Sequence, residues 1–125
     1  MKRTILSIED APYFRTLIRL ALSFEGFDVI EASNGKDGLE LAYSKQPDLI
    51  LLDIIMPGMN GLEVCKIIQA DDRLNTIPVV MLSSSDEDEN IKTGLGLGAK
   101  AYLVKPFKPT DLVGLIRRLL ADEAA

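Results

Sequence analysis

The chain has no histidine and one cysteine, Cys65, among its 125 residues. Without histidine, serine–histidine hydrolysis and histidine-ligated metals are excluded. A single cysteine excludes an intramolecular disulfide framework and any multi-cysteine zinc or iron–sulfur site. No apolar run approaches the ~18 residues that a membrane-crossing helix needs. Met1-Lys2-Arg3 is basic, but Ser7, Glu9 and Asp10 interrupt the apolar residues behind it, so the start does not read as a signal peptide. A cytoplasmic protein without a membrane partner is expected. Cations are in deficit, with 14 Lys and Arg against 19 Asp and Glu and a net charge of −5. Duplex DNA needs clustered positive charge, so no direct contact with nucleic acid is expected. Linkers, low-complexity tracts and internal repeats are also missing, and 125 residues suit one domain over 1–125 with its own core.

What is present is a fivefold alternation of short apolar runs and helical periodicities. Thr4-Ile5-Leu6-Ser7-Ile8 reads as a first strand. Pro12 suits the first turn of a helix, Phe14, Leu17, Ile18 and Ala21 follow its period, and Gly26 closes it. Residues 27–32 read as the second strand, then Asn34-Gly35 as a turn before a helix carrying Leu39, Ala42 and Tyr43. Leu49-Ile50-Leu51-Leu52 is wholly apolar, too short for a globular helix, and flanked by Pro47 and Pro57. It reads as a central strand buried on both faces. Gly61 precedes a helix with Leu62, Cys65, Ile68 and Gln69, which puts Cys65 in the core. Pro78 opens a fourth strand, Val79 to Leu82, that stops at Ser83-Ser84-Ser85. Asp86-Glu87-Asp88-Glu89 then places negative charge at a helix start, where the dipole favours it. Ala101 to Val104 is a fifth strand ending at Lys105-Pro106, and Leu112, Leu115, Ile116 and Leu119 mark the inner face of a last helix. The alternation predicts an α/β fold: a doubly wound, five-stranded parallel sheet with helices on both faces and right-handed crossovers.

The chemistry gathers at one edge of that sheet. Glu9, Asp10, Asp53, Ser83 and Lys105 all fall at the carboxyl ends of strands, where open α/β sheets bind ligands. An acid pair, a lone acid, a hydroxyl and a lysine there describe a site for a divalent cation and an anion. Plainer roles exist for each: Asp10 as a helix cap, Ser83 as a strand-end or capping serine, Lys105 as a surface lysine, Tyr102 as partly exposed strand packing.

Four stretches in order resemble the motifs of bacterial response-regulator receiver domains. They are Ile8-Glu9-Asp10, Leu52-Asp53-Ile54-Ile55-Met56-Pro57-Gly58-Met59-Asn60-Gly61, Val80-Met81-Leu82-Ser83-Ser84, and residues 98–107 from Gly98 to Phe107 with Lys105-Pro106 inside. The resemblance covers essentially the whole chain and implies the flavodoxin-like strand order 2-1-3-4-5. It implies Asp53 as phosphoacceptor, taking its group from a phosphohistidine on a sensor histidine kinase or histidine phosphotransfer protein. It implies Mg²⁺ held by Asp10, Asp53 and the backbone carbonyl of Ile55, with Glu9 acting through water in a position where aspartate is usual. Lys105 would pair with the phosphoryl oxygens, before a cis Lys105–Pro106 bond. Ser83 would swing toward the phosphoryl group and Tyr102 would turn inward, changing a surface read by a downstream output protein. Such a chain is a signalling switch that catalyses its own phosphorylation and dephosphorylation, not a metabolic enzyme. Aspartyl-phosphate phosphatases also use a strand-end aspartate, but resemble D-x-D-x-[TV], and Ile55 leaves no general acid two residues after Asp53.

Gly94-Leu95-Gly96-Leu97-Gly98-Ala99 formally matches a dinucleotide fingerprint, yet precedes a strand instead of joining a strand to a helix. The glycines point instead to a weak helix end, making 90–100 the segment expected to change order on phosphorylation. Arg117-Arg118 reads as a solvated helix end.

Overall fold

A computed structural model describes residues 2–84 and 88–124, and the side chains of all of these but 88 and 122–124. The elements run β1 (Thr4–Ile8), α1 (Pro12–Phe24), β2 (Asp28–Ala32), α2 (Gly35–Lys45), β3 (Leu49–Asp53), α3 (Gly61–Ala70), β4 (Val79–Ser84), α4 (Asp88–Gly96), β5 (Ala101–Lys105) and α5 (Pro109–Ala124). All four strand pairings are parallel, in the order β2-β1-β3-β4-β5. Of the acidic run expected at the start of α4, Asp86 and Glu87 lie outside the described residues, as does Ser85.

Strand periodicity divides the core into two layers. On one face Leu6, Ile8, Ile50, Leu52, Val79 and Met81 meet Ala42 of α2 and Val64, Cys65 and Ile68 of α3. On the other, Ile5, Leu49, Leu51, Val80 and Leu82 meet Ile18 and Leu22 of α1 and Leu112, Ile116 and Leu120 of α5. β3 is buried along its whole length, as its unbroken apolar run requires of a strand covered on both sides. Cys65 is free and buried, and burial pushes its thiol up, so it is inert packing.

One local expectation changes, and one of the plainer roles falls away. Asn34-Gly35 is a helix start, not a turn: the Asn34 side chain accepts the Asp37 N–H at 2.9 Å, and Gly35 is the first helical residue. Such a cap contributes about 1 kcal/mol, and satisfying an orphan donor outweighs the turn preference of the dipeptide. Asp10 does not cap α1, whose N-cap position is Ala11 without a side-chain bond, which leaves the Asp10 carboxylate for other work. At the start of α3, Asn60 and Glu63 form a reciprocal capping box.

Candidate functional site

β3, β4 and β5 deliver Asp53, Ser83 and Lys105 to the carboxyl edge, and the turn after β1 adds Glu9 and Asp10. Glu9 is fully buried, which acids seldom are without a partner. Its Oε1 lies 2.6 Å from Lys105 Nζ, and its Oε2 accepts the Ala11 N–H at 3.0 Å. The same ammonium stands 3.3 Å from Asp53 Oδ1. It also sits 4.7 Å from the centre of the Phe14 ring, which in turn packs against Phe107. Phe14 therefore gives the lysine an apolar and π-bearing wall that keeps it over the acids. Arg15 donates to the carbonyl oxygens of Glu9 at 2.9 Å and Asp10 at 3.3 Å, holding the acid-bearing turn against the start of α1.

Charge is unbalanced at this point. Carboxylate oxygens of Glu9, Asp10 and Asp53 come within 4.8 Å of one another, and the Lys105 ammonium contacts two of the three. Burial, then the charge of Glu9, then hydrogen bonds with Glu9 and Asp10 push the Asp53 carboxyl up to about 8, and Lys105 pulls it down without prevailing. A metal-free Asp53 is thus largely protonated at neutral pH and a poor nucleophile. The donor set is all hard oxygen, with no nitrogen or sulfur, so it fits a small divalent cation such as Mg²⁺.

The remaining expected residues are placed around this cluster. Ser83 is buried near the end of β4, and its Oγ has no hydrogen-bond partner among the described residues. An orphaned buried hydroxyl is uncommon, so a group that arrives beside it gains a ready donor. Tyr102, at 44% exposure on β5, opens to solvent instead of packing inward. Ile55 lies in the loop after β3 with its side chain exposed. The Lys105–Pro106 bond is cis.

Four contributors escaped the sequence reading: the direct Glu9–Lys105 pair, Phe14, Arg15 and Gly61. A Cβ on Gly61 would stand 2.2 Å from the Asp53 carbonyl oxygen, and the Gly61 N–H bonds the Ile54 carbonyl at 2.7 Å. Only glycine lets α3 begin so close to the end of β3. Its one signal in the sequence is a poor helix former at a helix start.

The description "Response regulator receiver domain" matches residues 5–117. This chain belongs to that family. Among its relatives, the DNA-binding response regulator MtrA of Mycolicibacterium smegmatis is 38% identical over 120 residues, which are 96% of this chain and 51% of that protein. The alkaline phosphatase synthesis transcriptional regulatory protein PhoP of Bacillus subtilis is also 38% identical, over 96% of this chain and 49% of its own length. Chemotaxis protein CheY4 of Vibrio cholerae superposes with a TM-score of 0.88 at 29% identity, covering 94% of this chain and 98% of that one. The receiver domain of Francisella response regulator 1452 gives 0.89 at 29%, covering 98% and 99%. The receiver domain described here spans about half the length of the curated relatives it matches. MtrA is named for DNA binding, so these relatives lend no support to the expected absence of nucleic-acid contact. Among the described residues no helix is long and apolar enough to cross a membrane.

Proposed function

We propose that Asp53 is the phosphoacceptor of this receiver domain and takes its phosphoryl group from a phosphohistidine on a kinase or phosphotransfer protein. The observation that carries the reading is the meeting of Glu9, Asp10, Asp53 and Lys105 at one strand edge with Asp53 pushed up to about 8. An Asp53 oxygen attacks phosphorus, the P–N bond breaks, and its electron pair stays on the donor imidazole. Asp10 and Asp53, with the Ile55 carbonyl and with Glu9 through water, would hold Mg²⁺. When bound, the cation favours the ionised carboxylate and neutralises charge on the phosphoryl oxygens. Lys105, already 3.3 Å from the acceptor, follows the new charge as a movable point cation. The Glu9 bridge opposes that movement, because Lys105 must leave a 2.6 Å contact to serve the phosphoryl group. Ser83 donates its free hydroxyl to the same group. Dephosphorylation then depends on hydrolysis of the acyl phosphate, since the chain has no histidine to act as a base.

Signalling follows if Ser83 and Tyr102 move together and alter the surface of α4 and β5 for an output protein. α4 is short and ends at Gly96, and Gly98 beyond it holds φ at +114°. The setting is the cytoplasm, and the unit acts as a switch over residues 1–125.

Intact-mass measurement after acetyl phosphate and Mg²⁺ tests the acceptor: one phosphoryl group is expected, and an undiminished signal in Asp53→Ala defeats the assignment. Hydrogen exchange with and without beryllofluoride tests the switch. Protection should change most between Asn90 and Tyr102, and a change confined to the loops around Asp53 would leave Tyr102 without its role.

A further inference from the structure

The Lys105 ammonium has two contacts of one kind and one of another. It lies 2.6 Å from Glu9 Oε1 and 3.3 Å from Asp53 Oδ1, and 4.7 Å from the centre of the Phe14 ring, over its face. The side chain is only 15% exposed, so little water competes with these neighbours. Glu9 and Asp53 belong to the acid cluster that fits a divalent cation. An ammonium and a divalent cation draw on the same carboxylate charge, so each weakens the hold of the other. The ring stands outside that competition. A hard cation takes oxygen ligands, whereas the negative face of the ring attracts an ammonium without joining the donor set.

The ring is itself held in place. Phe14 lies in the first turn of α1, where its ring packs on Phe107 at 5.9 Å with the planes tilted by 37° and meets Tyr13 edge-on at 5.2 Å. Phe107 is buried in the layer between the sheet and helices α1 and α5, and Phe14 packs against that layer. Phe107 follows Lys105 by two residues, so one short stretch of chain brings both the ammonium and the support of the ring to Phe14. A leucine serves burial in this layer, as Leu17 and Leu103 do, but offers an ammonium no negative face. Burial alone does not ask for an aromatic at position 14.

From this geometry we infer that Phe14 is a positioning residue for Lys105: when a divalent cation engages the acids, the ring face keeps the ammonium within reach of the group arriving on Asp53. The inference deepens the phosphoacceptor reading and rests on it. In the metal-free chain Glu9 holds Lys105 at 2.6 Å, and the ring adds to a contact already made. Once the acids share their charge with Mg²⁺, the flexible four-carbon stem of Lys105 is free to turn toward solvent unless something retains its tip. The ring does so. An ammonium kept in place meets the phosphoryl oxygens without a further ordering cost, and its charge is then available as negative charge develops on them. The ring takes no part in the transfer and acts wholly through Lys105.

Proton NMR and phosphorylation kinetics on the whole chain test the inference together. A side chain over a ring face feels the ring current, so the ε-CH2 protons of Lys105 should resonate upfield of those of the other lysines, both without metal and at saturating Mg²⁺. Phe14→pentafluorophenylalanine keeps the shape of the ring but removes its negative face. At saturating Mg²⁺ it should abolish the upfield shift and slow labelling of Asp53 by acetyl phosphate about tenfold. That factor equals ~1.4 kcal/mol, within the range of a desolvated cation–π contact. Phe14→Leu should slow labelling by a similar factor, and in a Lys105→Met background neither change should slow it further. Mg²⁺ affinity should not fall in either variant, because the ring is no ligand of the cation. An upfield shift that is absent from the wild type, or that disappears when Mg²⁺ is added, overturns the inference. So does wild-type labelling in the pentafluorinated chain, or a Phe14→Leu loss that persists undiminished in Lys105→Met. Failure of acetyl phosphate to label Asp53 counts against the phosphoacceptor reading alone, and the proton shift then decides the role of Phe14 by itself.

Discussion

The carboxyl edge of the sheet and the α1–α5 face are built on opposite terms. At the edge, Glu9 and Asp53 are buried with Lys105 among them, so ionised groups are out of water before any ligand arrives. On the α1–α5 face, Leu20 and Phe24 are in water although they are apolar. Each arrangement is unfavourable in the isolated chain, and what would relieve it differs: positive charge at the edge, apolar surface at the face. α1 links the two, since Phe14 supports Lys105 at its start and Phe24 projects at its end. Misplaced polarity, more than hydrophobicity or charge by itself, is what the two regions share.

Substitutions should separate the two regions by size of effect. Lys105→Met strands the fully buried Glu9 carboxylate, and breaking a buried pair typically costs about 3–5 kcal/mol, so urea unfolding at pH 7.5 without metal should show a loss near 3 kcal/mol. A loss under 0.5 kcal/mol would mean that the ammonium is not the counter-charge of the edge. Next comes the cation. Asp10→Asn should lower Mg²⁺ affinity by more than about 100-fold, whereas Glu9→Gln, already engaged by Lys105 and Ala11, should lie in the roughly 10–100-fold range of supporting residues. Equal losses by titration would put both carboxylates in direct contact with the metal.

Asp53 supplies the third test, through pH. Its carboxyl titrates near 8 in the folded chain and near 3.8 in the unfolded chain. Between those values the native state holds a proton that the unfolded state has released, so the contribution of Asp53 is fully present below about pH 4 and is lost as pH rises toward 8. Asp53→Asn removes that slope and should stabilise the metal-free protein at pH 7.5 by about 1–3 kcal/mol, less than full linkage because neighbours relax. Mg²⁺ should flatten the wild-type slope. A wild-type stability that rises between pH 5 and 8 in EDTA would contradict the burial argument. The smallest effect belongs to the other region: Phe24→Glu is a surface change and should leave unfolding within about 0.5 kcal/mol of wild type. A larger loss would show that Phe24 supports the fold and would blur the contrast between the two regions.

Much of this was legible before any coordinates. The five apolar runs, their period and their spacing determine an alternating α/β chain, because a strand buried on both faces leaves an unbroken apolar run and an amphipathic helix leaves a 3.6-residue stripe. The polar residues that end those runs also determine that Glu9, Asp10, Asp53, Ser83 and Lys105 share one edge, since parallel strands all point their carboxyl ends the same way. Tertiary structure alone decided who touches whom along it. Glu9 and Lys105 are far apart in the chain, and their 2.6 Å contact exists only because β1 and β5 end at the same edge of the sheet, across β3 and β4 from each other. The clearance that Gly61 gives the Asp53 carbonyl, the orphaned Ser83 hydroxyl and the Phe14 ring against Lys105 likewise depend on distances between elements, which no local periodicity encodes.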